Sequence, residues 1–400
     1  MNALTRLAAA TAVSLLGIGA AAAAFVPAKP ARPKLGAAEL TVASRLPAWV
    51  APGGRLAVSG WAGPAERLRL VAGSRTLARG TSGRLGRFRL AARAPATGRY
   101  RLALVRTDGA RHALGGIRVR PVVLAAVGDV TLGDAVASAV AASGPRYPWL
   151  SVAPALRAAD VATANLEGAV STRGAPVPDK EFHFRGTPAA LAATARFGGL
   201  DVVSLANNHT LDYGRDAFAD TIRAARAAGL ATVGGGADLR GARRPAVVSV
   251  GGLRIAFLGY SDVRPLGFDA APGVPGAAPA DPAAIAADVR AARRAADLVV
   301  VWFHWGEELA SHPSDRQHGF AGDAVFAGAS VVLGAHPHVL QPVTRRGRRL
   351  VAWSLGNFVF PSYSPRTEQT GILLVRLDAR GVVGHRLRPA RIKGVQPRLR

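Results

Sequence analysis

The chain has 400 residues, 49% of them hydrophobic and 19% charged, and no cysteine. That is a globular composition with room for two domains, and it excludes disulfides, thiolate metal sites and lipid attachment at cysteine, so a metal would have to be held by His, Asn, Asp or Glu. Of the 51 basic residues only Lys29, Lys34, Lys180 and Lys393 are lysine, and the formal net charge of +26 favours polyanions such as acidic polymers, anionic lipid or nucleic acid without choosing among them.

Residues 1–28 carry Arg6, then an uncharged run from Leu7 to Ala28 rich in small residues. This reads as an export signal that is either cleaved or kept as a membrane anchor. Both readings put the remainder outside the cytoplasm, secreted or in the cell envelope. Residues 29–37 read as a short Pro-rich, basic linker. From 38 to 120, short alternating runs such as RLAVSGWA, RLRLVAG and YRLALVR are separated by turn signals, the rhythm of a small all-β, immunoglobulin-like sandwich. No histidine precedes His112, so this segment reads as an accessory domain. A polymer-binding role for it would need exposed aromatics, for which Trp49 and Trp61 alone are weak support.

After Pro121 the rhythm changes. Apolar, β-branched-rich runs end at Asp129, at Glu167, at Asn208 and His209, at His304, and at His336 and His338, with Ala-rich helical stretches between most of them. Continuous apolar runs are what buried strands of α/β proteins look like, and sites in such folds form beyond the strand carboxyl ends. In VVLGAHPHVLQP the two histidines stand two apart, which on extended backbone points them to one side. Three imidazoles, two carboxylates and an amide oxygen are about what one or two divalent cations need, with Mn, Zn and Fe all compatible. This region, 121–378, reads as the chemical domain, and 379–400 as a basic C-terminal tail.

The motifs GDVTLGD, NLEGAV, SLANNHTLDYG, FHWGEE, GAHPHVLQP and SLGNFVF, in that order, are similar to those of the CapA family of bacterial capsule and poly-γ-glutamate synthesis proteins, over roughly residues 122 to 376. That family in turn resembles the calcineurin-like metallophosphoesterases. The resemblance implies an α/β, four-layer αββα domain, two packed mixed β-sheets flanked by helices, preceded here by the small all-β sandwich. It also implies that Asp129 and His338 bind a first metal, that Glu167 bridges, and that Asn208, His304 and His336 hold a second. His209 would protonate the leaving group as the catalytic acid. Thr131 stands where the related phosphoesterases carry a metal-binding histidine, and their usual Gly-Asn-His-Asp becomes Asn207, Asn208, His209 and Thr210, with Asp212 displaced.

Around this set, Gly306 would let backbone approach a ligand, Glu307 and Glu308 would orient an imidazole, Asn357 would brace the site or donate to substrate, and Arg185 would pair with an anionic group. Two functions compete. One is an extracytoplasmic metal-dependent hydrolase or transferase acting on an anionic polymer or a phosphate ester; the other is a non-catalytic accessory protein that retains poly-γ-glutamate beside a membrane synthase. Export and the lack of a nucleic-acid-binding motif argue against nucleic acid as the partner.

Overall fold

A computed structural model describes residues 40–400. The expected export segment 1–28, the linker 29–37 and the first two residues of the expected sandwich lie outside the described residues. No helix among the described residues is long and apolar enough to cross a membrane.

The strands of the body are buried on both faces, and alternation along them decides which layer each side chain enters. In the strand Val122–Val130, Leu124 and Ala126 point into a core shared with a second sheet, while Ala125 and Val127 point to a core shared with helices. In Leu298–His304 the same split sends Val300 and Trp302 inward, and Val301 and Phe303 outward. The result is four layers. One sheet has eight strands, in which Ala231–Val233, Val202–Ser204, Val161–Leu166 and Val122–Val130 run parallel and Gln369–Asp378 joins antiparallel. The other has six, with Leu253–Ser261, Leu298–His304, Val331–Ala335 and Arg349–Ala352 parallel and antiparallel strands at both edges. Trp302 reaches across the shared core and donates from Nε1 to Thr163 Oγ1 at 2.9 Å.

Helices Asp134–Ser143, Pro188–Arg196 and Gly214–Ala228 cover the outer face of the larger sheet through Val136, Leu191 and Phe218. Helices Pro282–Ala295 and Asp315–Ala327 cover the smaller one through Ile285, Val289, Phe320 and Ala324. Each begins at a cap that its sequence supplies: Asp281 accepts from Ala284 N, and Ser314 with Gln317 forms a reciprocal capping box.

Residues 379–400 are not a tail. Gly381–Lys393 and Gln396–Leu399 extend the larger sheet as antiparallel strands, with Leu387 opposite Leu373 and with Val382, Ala390 and Ile392 buried. The basic residues that suggested a solvated tail, such as Arg386 and Lys393, lie on the exposed positions of these strands.

Before the body, a three-stranded sheet (Thr41–Val42, Arg55–Trp61, Arg87–Arg93) faces a five-stranded one over Leu56, Val58, Leu70, Leu90, Leu104 and Ile117. Its two tryptophans form no exposed aromatic platform. Trp61 is buried, and Trp49 packs against the body with the Arg120 guanidinium 3.6 Å above its ring. The sandwich is tied to the body by backbone: Ala51 N–H donates to Gly251 O and Arg55 N–H to Gly252 O, both at 2.8 Å.

Candidate metal centre

Parallel strands end together, so the residues just past their carboxyl ends meet. Asp129 is the penultimate residue of its strand, Glu167 follows Leu166, His304 closes its strand, and His336 follows Ala335. Asp129 and Glu167 are fully buried. A close approach makes this possible: a Cβ on Gly128 would sit 1.7 Å from Gly356 O, so only glycine lets the segment Asn357–Val359 pair with the Asp129 strand.

The six expected ligands share one network. Asn165 Nδ2 donates to Asp129 Oδ1 at 2.9 Å and lies 3.2 Å from Glu167 Oε2. His338 Nδ1 stands 3.4 Å from Asp129 Oδ2 and hydrogen-bonds Asn357 Oδ1 at 2.8 Å, while its Nε2 is 4.0 Å from Glu167 Oε1. The His336 N–H donates to Asp129 Oδ2 at 3.3 Å. His304 Nε2 lies 2.8 Å from Asn208 Oδ1, and its ring centre is 4.8 Å from that of His336.

The two histidines of GAHPH reach the cluster by a route other than extended backbone. The strand stops at Ala335, and His336 and His338 take φ values of 94° and 57°. Non-glycine residues are held there at a cost of about 1–3 kcal/mol each, a cost that persists when surrounding contacts over-determine it.

Charge in this pocket is rationed. Burial, then the charge of Asp129, raises Glu167 well above the usual carboxylate range. Burial, then the neighbouring imidazoles, lowers His304 well below the usual histidine value and, with His338, lowers His336 to about 3. Burial also opposes the charge on His338, but its hydrogen bond to Asp129 and the charge of Glu167 win and raise it to about 9. His304 and His336 are therefore neutral and offer lone pairs, as metal ligands must. Glu167 Oε1 and His336 Nδ1 are buried and have no hydrogen-bond partner among the described residues. Unsatisfied acceptors beside two carboxylates fit a divalent cation, which would satisfy them. Two carboxylate–imidazole groups lie within ligating reach: Asp129, Glu167 and His338, and Glu308, His336 and His338.

His209 sits at the edge of this cluster with Nε2 3.7 Å from Glu167 Oε1. Its Nδ1 is 2.8 Å from Asp212 Oδ2, and Phe184 stacks on its ring at 4.2 Å between centres. Lys180 also reaches it: Nζ is 2.8 Å from His209 Nδ1, donates to Asn208 O at 2.7 Å and pairs closely with Asp212. Asn207 is a brace, donating to Asn165 Oδ1 and Leu166 O and accepting from His209 N–H.

Three expected roles change. Gly306 is needed because its φ is +81° and a Cβ would meet Gln317 Oε1 at 2.6 Å, so it serves the capping side chain rather than a ligand. Glu307 is exposed, with no side-chain hydrogen bond or ion pair among the described residues, and Glu308 is the one that faces the imidazoles. Arg185 is committed to the carbonyls of Arg173 and Gly174, at 3.0 and 2.7 Å, with its guanidinium 3.5 Å over the Tyr213 ring. Thr131 accepts from Gly133 N–H at 3.1 Å and holds the turn.

Asn165 and Lys180 were not among the expected site residues. Asn165 lies near the end of its strand, two before Glu167, and so faces the same side, which is a readable signal. Lys180 is one of four lysines beside 47 arginines, and that departure from the habit of the chain marks it.

The body is a four-layer α/β domain with imidazoles and carboxylates gathered beyond its strand ends. Residues 123–362 match the family model described as bacterial capsule synthesis protein PGA_cap, and the chain belongs to that family. It is 33% identical over 273 residues to the PGA biosynthesis protein CapA of Bacillus subtilis, covering 68% of this chain and 72% of that protein. It is 34% identical over 262 residues to the capsule biosynthesis protein CapA of Bacillus anthracis, covering 64% of each. The match thus spans about two thirds of the length of these relatives. Among solved structures, a 5'-nucleotidase precursor from Thermus thermophilus aligns with a TM-score of 0.38 and 16% identity over 69% of this chain and 54% of that one, too distant to speak to activity.

Proposed function

We propose that this chain is an extracytoplasmic, metal-dependent hydrolase or transferase acting on poly-γ-glutamate or a phosphate ester in cell-envelope polymer metabolism. The observation that carries the reading is the convergence of Asp129, Glu167, Asn208, His304, His336 and His338, with buried acceptors left unsatisfied, beside a histidine whose far nitrogen is held by Asp212. Those six residues would hold one or two divalent cations, which supply Lewis-acid polarisation of a carbonyl or phosphoryl oxygen.

The chain itself does the rest. Asp212 orients His209 so that Nε2 faces the cluster, where it delivers a proton to the leaving nitrogen or oxygen. Lys180 fixes the backbone at Asn208 and the carboxylate of Asp212, so ligand and acid are placed by one side chain. Phe184, stacked on His209, and Phe360, tilted against His338, keep water from one wall. Export is supported by the apolar run of residues 7–28, and a polymer substrate by the names of the relatives. The test is metal analysis of the purified full chain, paired with turnover of a generic phosphodiester and of poly-γ-glutamate with and without chelator. Bound metal with chelator-sensitive turnover is expected; neither metal nor turnover would leave only a polymer-retaining role.

A further inference from the structure

The opposite ends of the same strands carry a second feature. Pro121 and Asp297, which immediately precede the strands bearing Asp129 and His304, line a cleft of about 1000 Å³ between the sandwich and the body. Seven residues of strand at about 3.3 Å each place it roughly 20 Å from the metal cluster.

Nine of the 22 residues lining the cleft are arginine, whereas arginine and lysine together make up 51 of 400 in the whole chain. Composition alone does not account for that density. Among the described residues two acidic side chains, Asp297 and Asp378, line it, against nine arginines. Four of the arginines are fixed. Arg55 and Arg93 both pair with Asp297, at 2.7 and 3.1 Å, Arg348 pairs with Asp378 at 2.8 Å, and Arg293 donates to the Asp297 carbonyl. The Asp297 carboxylate is 7% exposed and also accepts from Arg254 N–H, so it clamps the two walls together. The other five, Arg75, Arg254, Arg294, Arg376 and Arg380, are exposed, and their side chains make no hydrogen bond or ion pair among the described residues.

Five unpaired guanidinium forks around one concavity repel one another unless an anion is shared between them, and each fork matches a carboxylate in a bidentate geometry. Among the described residues no aromatic side chain lines the cleft, so they supply none of the stacking surface by which proteins hold single-stranded nucleic acid.

We propose that this cleft is a binding site for an extended polycarboxylate chain, holding the polymer remote from the metal cluster. The choice of polymer rests on the proposed function, but the site itself rests on the arginines. It makes the protein bivalent toward one long substrate, so that a chain held at the cleft raises its own effective concentration at the cluster.

The test is equilibrium binding of fluorescently labelled poly-γ-glutamate to the full chain across a salt series. The triple variant Arg75→Gln/Arg294→Gln/Arg376→Gln is compared with Arg84→Gln/Arg226→Gln/Arg240→Gln, three exposed arginines outside the cleft with the same change in charge. Metal content and melting temperature report that both variants are folded. The cleft variant should bind about tenfold more weakly or worse, and the control within about twofold of the parent. Equal losses would reduce the effect to diffuse surface charge and overturn the proposal, and polyphosphate of matched charge density binding as tightly as the glutamate polymer would overturn the carboxylate assignment. An Asp129→Asn variant should lose metal but keep polymer binding. Loss of binding there would move the polymer to the metal cluster and sink the cleft, whereas lost turnover with retained binding bears on the catalytic reading alone.

Discussion

At the carboxyl ends of the central strands two carboxylates and three imidazoles are buried and joined in one network, with Glu167 Oε1 and His336 Nδ1 left unsatisfied among the described residues. At the amino ends of the same strands nine arginines stand exposed around an open cleft, five without a side-chain partner among the described residues. The difference is one of dielectric. Buried charge is costly unless paired or neutralised, so the first region shifts its protonation states and uses strained backbone to hold few groups in one arrangement. Exposed charge is cheap and screened over about 8 Å at physiological ionic strength, so the second region acts by number. The buried cluster should therefore be specific and insensitive to salt, and the cleft salt-sensitive and tolerant of single changes.

The largest expected effect is at Glu167. Because burial and Asp129 disfavour its charged form, Glu167→Gln should abolish metal binding and turnover yet raise the melting temperature of the chelated protein by a few degrees, at about 2–4 °C per kcal/mol for a body of this size. Calorimetry in chelator beside metal analysis checks both halves. A melting temperature that falls would mean that the carboxylate contributes stability without metal.

Next is His209→Ala, expected to slow turnover by about 10²–10⁴-fold while metal content stays unchanged. Loss of metal in that variant would make His209 a ligand. A smaller change should follow Lys180→Met, which removes the contacts to Asn208 O, His209 and Asp212. A drop of about 10- to 100-fold in kcat is expected for a group that positions others, and an unaltered kcat would leave Lys180 as loop packing only.

The pH dependence of the chelated protein separates the regions further. His336 is lowered in the fold, so its contribution to stability is present above the unfolded value near 6.5 and is lost as pH falls toward 3. His338 is raised, so its contribution is complete below 6.5 and is lost as pH rises through about 9. Melting temperature in chelator should therefore peak near neutrality, and His336→Asn should flatten the acid side. The cleft arginines lie roughly 20 Å from these imidazoles, so their Gln variants should shift the curve without reshaping it. The smallest effect expected is Asp297→Asn, which loosens the clamp between sandwich and body by about 1–2 kcal/mol and should do so less at high salt, since its partners Arg55 and Arg93 are half exposed.

Much of this could be read along the chain. Apolar runs ending in Asp129, Glu167, His304 and His336 betray buried strands and the chemistry at their ends, because a strand buried on both faces has few other ways to be written. The sandwich shows itself by alternation and turn residues. The segment 379–400 escaped because its thirteen-residue strand is half exposed and basic, and exposed strands look like solvated tail until a partner strand is in place.

What the sequence by itself determined is local: the period of each strand, the caps of the helices, the donor types available once cysteine is absent. Only the tertiary structure decided which donors meet. Lys180 lies in a stretch of turns and bends with no periodicity to announce it, yet the fold delivers its amine to His209, 29 positions away. Glu307 and Glu308 are neighbours in the chain, and only the fold brings Glu308 within ligating reach of His336 and His338. The arginine cleft is invisible in composition because its members come from positions 55 to 380, and only the docking of sandwich on body sets them around one space. Pair energies depend on distance in three dimensions, and the chain order constrains that distance only for neighbours.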